Sequence, residues 1–304
     1  MKKKVILIAG PTAVGKTALA IHVARHFRTS IISADSRQCF KELNIGVAKP
    51  SAEELQLVTH YFIDTYSVHE QVTAASFEEY ALTTATALFQ TNDVIILAGG
   101  TGLYIKAFLE GMDQIPAVDE VVRHQLMALY EEKGMEWLQE QLRLKDPLFT
   151  AQGEMQNPQR MLRALEVLET TGQSIVNYQT GNKKQRNFDV IKIGLELPRE
   201  QLYDRINNRV DVMMEHGLLE EAKLLHPLQH LNALQTVGYR ELFDHFNGHS
   251  SLDQAISKIK QNTRHYAKRQ LTWFKRDEMM EWFHPHAESK MINHIESQIK
   301  NPAM

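Results

Sequence analysis

The stretch Gly10-Pro-Thr-Ala-Val-Gly-Lys16-Thr17 decides the fold of this 304-residue chain. It matches the pattern G-x-x-x-x-G-K-[ST], and it stands between an apolar run, Val5–Ala9, and a segment with helical spacing, Lys16–Phe27. Glycines let the backbone approach a phosphate, successive amides point at its oxygens, and the helix N-terminus adds its dipole. Lys16 would neutralise charge and Thr17 would ligate magnesium, whereas an accidental glycine turn would leave Lys16 unexplained. The sequence therefore predicts a phosphate-binding loop, a P-loop.

Two further apolar runs end in polar loops, as the first one does. A second predicted strand, Ser30–Ala34, runs into Asp35, and a third, Asp93–Ala98, runs into Gly-Gly-Thr101-Gly. In an open parallel sheet, ligands bind outside the carboxyl ends of the strands, so we expect these three loops to converge on one crevice. The predicted fold is α/β: a P-loop NTPase-like parallel sheet flanked by helices.

The middle of the chain has helical periodicity but no strand pattern. Three segments show helical spacing with charged faces: Val121–Glu132, Glu136–Leu144 and Pro158–Thr170. Strand character returns at Val190–Leu197, and helices dominate from there onward. We therefore predict a catalytic core formed by residues 1–112 and 187–304, interrupted by an all-helical insertion domain at residues 113–186.

Composition limits the location and the partners of the protein. The single cysteine, Cys39, cannot form an internal disulfide, which favours a reducing compartment and hence the cytoplasm. The first apolar run is too short for a signal peptide or a membrane span, so we expect no membrane association. With 34 Lys and Arg against 37 Asp and Glu, the net charge is −3, so a polyanion would have to be bound by local basic patches.

The P-loop raises a question about its ligand. A nucleotide hydrolase needs an acidic residue at the end of a nearby strand to hold the metal ion, but Val94–Ala98 runs into glycines and Thr101. The loop can therefore hold a diphosphate that is not part of ATP. Asp35 is the candidate carboxylate of the crevice, with an ordinary turn or helix cap as its alternative, and Thr101 could likewise simply cap the helix that follows it.

Four arginines form two pairs at helical spacing. Arg160 and Arg163 share one face of a predicted helix, and a solvated charged face is the default explanation for them. Arg205 and Arg209, four residues apart after the returning strand, also share a face, and they could reach the crevice and clamp an anion.

The clearest basic segment is Lys258–Arg276. It holds seven lysines and arginines and no acidic residue, interleaved with Tyr266, Trp273 and Phe274. Such a mixture suits the phosphates and bases of a nucleic acid. The alternative is an amphipathic helix that packs Trp273 and Phe274 in the core, and the two interpretations are compatible.

These motifs together resemble a known family. They occur in the order Gly10-Pro-Thr-Ala-Val-Gly-Lys-Thr17, Asp35-Ser-Arg-Gln38, Gly46-Val-Ala-Lys-Pro50, Gly99-Gly-Thr-Gly-Leu-Tyr104, Asn157-Pro-Gln-Arg160, Val237-Gly-Tyr-Arg240 and Arg269-Gln-Leu-Thr-Trp-Phe274. The set closely resembles the bacterial tRNA dimethylallyltransferase family, also called tRNA isopentenyltransferase. The resemblance covers almost the whole chain, from about Val5 to Phe274.

The resemblance implies an activity and its partners. Members transfer a dimethylallyl group from dimethylallyl diphosphate to the exocyclic N6 amine of the adenosine on the 3′ side of certain tRNA anticodons. By motif position, Asp35 resembles the general base and Thr101 its partner at the amine. Lys16 and Thr17, with Mg²⁺ as cofactor, resemble the groups that stabilise the leaving diphosphate. The family also suggests a monomer, with tRNA bound at its anticodon stem-loop.

The same resemblance implies binding residues. The diphosphate site would consist of Gly10, Pro11, Thr12, Ala13, Val14, Gly15, Lys16 and Thr17, with Arg209 as a further contact. The tRNA contacts would be Asp35, Ser36, Arg37, Gln38, Thr101, Arg123, Gln159, Arg160, Met161, Leu162, Arg163 and Arg240.

Two other functions fit parts of the pattern. A small-molecule kinase of the shikimate-kinase type also places an aspartate after the second strand and glycines after the third, and the insertion would then be a lid. A noncatalytic RNA-binding protein could retain a P-loop without using it. The long insertion and the basic segment disfavour the kinase, and the intact Lys16, Thr17 and Asp35 disfavour the second alternative.

Overall fold

The structure is a computed structural model that describes residues 2–300. Its centre is one six-stranded sheet with the order β3-β2-β4-β1-β5-β6, in which every pair of neighbours is parallel. The strands are β1 (Lys4–Ala9), β2 (Ile31–Ala34), β3 (His60–Tyr61), β4 (Val94–Gly99), β5 (Asp189–Leu195) and β6 (Glu281–Phe283). The predicted parallel α/β fold is confirmed.

Burial explains which strands the sequence revealed. Every residue of β1, β2 and β4 is buried, as expected for strands that helices cover on both faces, and such strands appear in a sequence as unbroken apolar runs. The edge strands β3 and β6 are only two and three residues long and partly exposed. They were not predicted, because so short a segment has no readable alternation.

Nine helices surround this sheet within the described part of the chain. They are α1 (Lys16–Phe27), α2 (Ala52–Leu57), α3 (Ala74–Leu88), α4 (Gly102–Glu110), α8 (Arg199–Glu215), α9 (Leu218–Leu225), α10 (Tyr239–Phe246), α11 (Leu252–Phe274) and α12 (Glu288–Lys300). The strand β1 leads directly through the predicted P-loop into α1, and β4 leads through its glycine loop into α4. Both loops therefore open at the carboxyl edge of the sheet, as predicted.

Residues 111–184 form a separate compact unit. It consists of α5 (Glu120–Lys145), α6 (Pro147–Gln152) and α7 (Pro158–Thr171) around its own apolar core. The two helices predicted before residue 145 are confirmed: α5 contains two helical segments that meet at a kink, where Gly134 has non-helical backbone angles with a φ of 75°. The predicted insertion edges, 113 and 186, each lie two residues later in the chain than the observed edges, 111 and 184. Arg186 belongs to the larger unit, because its Nη2 donates to Glu78 at 2.9 Å and to the carbonyl oxygen of Ala107 at 2.8 Å.

Across residues 2–300, the helices are all too short or too polar to span a bilayer.

Candidate active site

The loop between β1 and α1 has the backbone geometry of a phosphate cradle. Ala13 and Gly15 have positive φ values of 62° and 108°, the second at the N-cap of α1. At Gly10, a Cβ atom would lie 2.7 Å from the carbonyl oxygen of Leu195, so only glycine fits there. No side chain among residues 2–300 caps α1. The backbone N–H groups at the start of this helix are therefore available to bind an anion.

Lys16 is the cation of this cradle. Its Nζ donates a hydrogen bond to the carbonyl oxygen of Pro11 at 2.8 Å. Desolvation by burial lowers the pKa of Lys16 to about 8, although the carboxylate of Asp35 opposes the shift, and the guanidinium of Arg209 adds to it. Because burial disfavours the charged amine, an anion bound beside it would stabilise its protonated form.

Asp35 begins the loop after β2. Its side chain stabilises a turn, which is the structural role that the sequence analysis gave as the alternative to a functional one. Its Oδ1 accepts the backbone N–H groups of Arg37 at 2.9 Å and of Gln38 at 3.2 Å, which is an aspartate turn. Among the described residues, no donor lies against its other oxygen, Oδ2. The turn therefore fixes the carboxylate and leaves one oxygen to a ligand.

Thr101 connects the loop after β4 to the loop after β2. Its N–H donates to the carbonyl oxygen of Ala34 at 3.1 Å, and its Oγ1 accepts the N–H of Ser36 at 3.1 Å. Burial is the main cause that raises the pKa of Tyr266 to about 12, and the nearby side chain of Thr101 opposes this shift. Thr101 stands directly before α4, but its side chain bonds to Ser36 and so places a hydroxyl group next to the turn of Asp35.

A cavity of about 470 Å³ joins the cradle to the carboxylate. Its wall includes most of the residues predicted to bind diphosphate: Thr12, Ala13, Gly15, Lys16, Thr17 and Arg209. The other three, Gly10, Pro11 and Val14, are buried in the same loop. Asp35 and Arg205 line this cavity as well, so the structure brings both arginines of the predicted anion clamp to one space.

A second, smaller cavity adjoins the first. It measures about 230 Å³ and shares Thr12, Asp35, Arg209 and Tyr266 with the first cavity. Much of its remaining wall is apolar, formed by Ile206, Val210, Met213, Leu218, Val237 and Ile259. The carboxylate of Asp35 thus lies where a space lined by cations meets a space lined by hydrocarbon.

Two of the predicted tRNA contacts near Asp35 have side chains that hydrogen-bond to backbone carbonyl oxygens of other loops. The Nη1 of Arg37 donates to the carbonyl oxygens of Asn232 and Ala233, both at 3.1 Å. The Nε2 of Gln38 donates to the carbonyl oxygen of Ala48 at 2.9 Å. In this structure the two side chains therefore order the rim of the cavity.

The basic segment lies mainly on α11, and both interpretations of it apply. Phe274 is buried, whereas Trp273 is 37% exposed, so only the first of the two aromatic residues packs fully in the core. Lys268 and Arg269 are exposed and line a shallow depression together with Trp273. Arg240, another predicted tRNA contact, is more than half exposed at the start of α10. This surface is available to a polyanion.

In the insertion unit, two predicted tRNA contacts converge on one carboxylate. The Nε of Arg123 lies 3.3 Å from Oε1 of Glu166, and the Nη1 of Arg163 lies 3.4 Å from Oε2 of the same residue. Glu166 is buried, and each arginine side chain is about one third exposed. Glu166 was not predicted, although its position three residues after Arg163 on one helix was a usable signal.

Other predicted contacts in the insertion differ in exposure. Gln159 and Arg160 are exposed at the start of α7. Met161 is fully buried in the apolar core of the unit, and Leu162 packs against that core. The side chain of Met161 faces inward on an amphipathic helix, so the predicted contact of this residue with tRNA, which stays a prediction, would have to be made by its backbone.

The comparisons with known proteins fit this geometry. A model of the IPP transferase family matches residues 38–277 of the chain. The chain belongs to this family. The predicted resemblance to bacterial tRNA dimethylallyltransferases, which are transferases that move a prenyl group, is thereby confirmed. The comparisons give no support to the small-molecule kinase alternative.

Similar proteins span the whole chain. A tRNA dimethylallyltransferase of Christiangramia forsetii is 49% identical over 98% of this chain and 99% of its own length. One from Phocaeicola vulgatus is 46% identical over the same shares of the two chains. Among solved structures, a tRNA isopentenylpyrophosphate transferase of Bacillus halodurans is 35% identical with a TM-score of 0.73, and it is matched over 98% of this chain and 97% of its own.

A more distant structure supports the fold alone. A eukaryotic dimethylallyltransferase acting on tRNA is 24% identical with a TM-score of 0.81, over 99% of this chain and 81% of that chain.

Proposed function

We propose that this IPP transferase family member transfers a dimethylallyl group from dimethylallyl diphosphate to the N6 amine of the adenosine next to a tRNA anticodon. The observation that carries the proposal is the single cavity that joins Lys16 of the P-loop to the carboxylate of Asp35. One end suits a leaving diphosphate and the other suits an incoming amine. Names of relatives at 46% and 49% identity agree with this chemistry.

The reaction forms one bond and breaks one. The lone pair of N6 attacks carbon 1 of the dimethylallyl group while the bond between this carbon and the diphosphate oxygen breaks. The amine is a weak nucleophile because its lone pair is delocalised into the ring, so a base that takes its proton assists the attack. We assign this role to Asp35, and the assignment is supported by its Oδ2, which faces no donor among residues 2–300.

The P-loop supplies the electrophilic assistance. Negative charge develops on the departing oxygen, and backbone amides together with Lys16 stabilise it. Binding of the diphosphate favours protonated Lys16, whose pKa burial otherwise lowers to about 8. The apolar second cavity, which also reaches Asp35, offers hydrocarbon contacts to the five-carbon chain.

Magnesium fits this site through Thr17. Among residues 2–300, no group of three or more His, Cys, Asp or Glu side chains could hold a metal ion. Mg²⁺ commonly takes only one or two protein oxygens and fills its remaining positions with phosphate oxygens and water. Thr17 lines the cavity next to Lys16 and can supply such an oxygen. When bound, the ion would neutralise charge on the leaving diphosphate.

The target base has to leave its stack to reach this site. Enzymes that act on a base inside a folded nucleic acid turn it out into a pocket, and the exposed cations of α11 and of the insertion can bind the surrounding phosphates. We further propose that the protein acts as a monomer in the cytoplasm, where tRNA is modified.

A label-transfer assay tests the proposal. The protein is incubated with unmodified tRNA and either dimethylallyl diphosphate labelled in its prenyl group or ATP labelled in its γ-phosphate. We expect the prenyl label in tRNA and no transfer from ATP. Label passing from ATP to a small alcohol would contradict the proposal and establish a kinase.

A further inference from the structure

Gln270 of α11 links the two loops that would carry the reacting groups. Its side-chain Oε1 accepts the N–H of Thr12 in the P-loop at 2.8 Å. Its Nε2 donates to the carbonyl oxygen of Gly100, in the loop after β4, at 2.9 Å. The side chain is buried, and a buried amide with both ends satisfied is held rigidly.

The two partners fix the orientation of this amide. The N–H of Thr12 can only donate and the carbonyl of Gly100 can only accept, so the oxygen must face the first and the nitrogen the second. Space is equally restricted, because a Cβ atom on Gly100 would lie 2.2 Å from Nε2 of Gln270. No other amide orientation satisfies both contacts.

The link continues to the carboxylate. Residue 101 follows Gly100 directly, and Oγ1 of Thr101 accepts the N–H of Ser36, the neighbour of Asp35. A connected path of bonds therefore runs from the P-loop through Gln270 and the β4 loop to the turn of Asp35. Each of these loops leaves a different strand, and α11 adds a rigid support across them.

We propose that Gln270 is a positioning residue that sets the distance between the diphosphate cradle and the general base. The inference rests on the proposed prenyl transfer and deepens it. Gln270 also lines the cavity, but both ends of its amide already bond to the protein, so its role is to hold Thr12 and Thr101 in register. A displacement of about 1 Å between reacting groups can cost about 10²-fold in rate, so this link affects the chemical step more than binding.

The first test replaces the amide with a carboxyl group of the same shape. In Q270E, the ionised side chain still accepts from Thr12 but repels the carbonyl oxygen of Gly100. A buried carboxyl group next to a carbonyl oxygen has a raised pKa, and its protonated form accepts at one oxygen and donates at the other, as the amide does. We expect a single-turnover rate about 10- to 100-fold below wild type at pH 8, with the deficit shrinking as the pH is lowered toward 6.

Three comparisons make this result specific. Q90E places the same charge on an exposed position outside the basic segment, and its rate should equal that of wild type. Q270A should lose rate without recovery at low pH. Affinities for tRNA and for dimethylallyl thiodiphosphate should change by less than about threefold in each variant, because the cradle and the tRNA surface persist.

A double-mutant cycle tests the link without relying on one substitution. G100A should displace the amide of Gln270 and slow the reaction, but it should add little to Q270A, in which that amide is absent. The proposal is overturned if Q270E reacts at the wild-type rate, if its deficit is the same at every pH, or if the effects of G100A and Q270A multiply. Absence of transfer by the wild-type protein would instead contradict the proposed function.

Discussion

Two clusters of opposite charges differ in what they leave open to a ligand. The strand-end cluster of the core consists of Lys16 and Asp35, and the arginine cluster of the insertion consists of Arg123, Arg163 and Glu166. In the core, Lys16 and Asp35 face one cavity, and each has an atom that a ligand can still approach. In the insertion, Arg123 and Arg163 share the carboxylate of Glu166 and remain partly exposed. The first arrangement suits chemistry on a bound group, and the second suits recognition of a phosphate backbone. Substitutions in the core should therefore change turnover, and those in the insertion should change tRNA affinity.

The largest effect is expected at Asp35. A general base typically contributes a factor of about 10²–10⁴, so Asp35→Ala should reduce single-turnover prenyl transfer on that scale. Binding of tRNA, measured by filter retention, should change far less, because Asp35 contributes no positive charge. A rate near that of wild type would remove Asp35 from its role and would weaken the contrast between the two clusters.

The next effect is expected at Lys16. A hydrogen bond to a charged group contributes about 1.5–3 kcal/mol, so Lys16→Ala should weaken dimethylallyl thiodiphosphate binding and lower turnover by about 10- to 100-fold.

The pH dependence of Lys16 sharpens this prediction. Diphosphate binds the protonated amine, whose pKa in the free protein is lowered to about 8. Affinity in the wild type should therefore be constant below pH 8 and fall as the pH rises above it, by at most about tenfold per unit. Calorimetric titration between pH 6.5 and 9.5 measures this decrease in affinity, and the decrease should be absent in K16A. A decrease that persists in K16A would arise from the titration of another group.

A smaller effect is expected in the insertion. Arg163→Ala should leave turnover at saturating tRNA unchanged and weaken tRNA binding. Each lost phosphate contact lowers the slope of log affinity against log salt by about 0.7–0.9. Binding isotherms between 50 and 300 mM salt give this slope. An unchanged slope would assign Arg163 to an ordinary solvated face, the alternative that its sequence leaves open.

The smallest effect is expected at Glu166. Glu166→Gln keeps the size of the side chain and both arginine charges but loses the shared carboxylate. We expect tRNA binding to weaken by about two- to fivefold, less than in R163A, because both arginines keep their charge and their partial exposure, and an ion pair with such exposed partners contributes about 0–1 kcal/mol. The thermal midpoint serves as the control, since a large decrease would indicate a packing role for Glu166.

The sequence revealed the parts of the site that depend on local chemistry. The P-loop, Asp35 and Thr101 follow strands with continuous apolar runs, so their convergence could be inferred from the rule for parallel sheets. Gln270 could not be found in this way, because it lies 258 residues from Thr12 and 170 from Gly100. Contacts between distant segments depend on how helices pack, and no local pattern records that.

The insertion shows the same limit. Its helices were predicted from helical spacing and its tRNA-binding arginines from the resemblance. The inward direction of Met161 and the shared role of Glu166 depend on how α5 packs against α7. A resemblance transfers a contiguous motif as a block, whereas in a helix neighbouring residues point in different directions.

The most direct test of the central claim is a crystal structure of the protein with dimethylallyl thiodiphosphate, Mg²⁺ and an anticodon stem-loop. The account predicts the diphosphate in the P-loop with Lys16 in hydrogen-bonding contact, and the N6 amine of the target adenosine about 2.6–3.2 Å from Oδ2 of Asp35. A diphosphate bound outside the loop, or an amine directed away from Asp35, would contradict it.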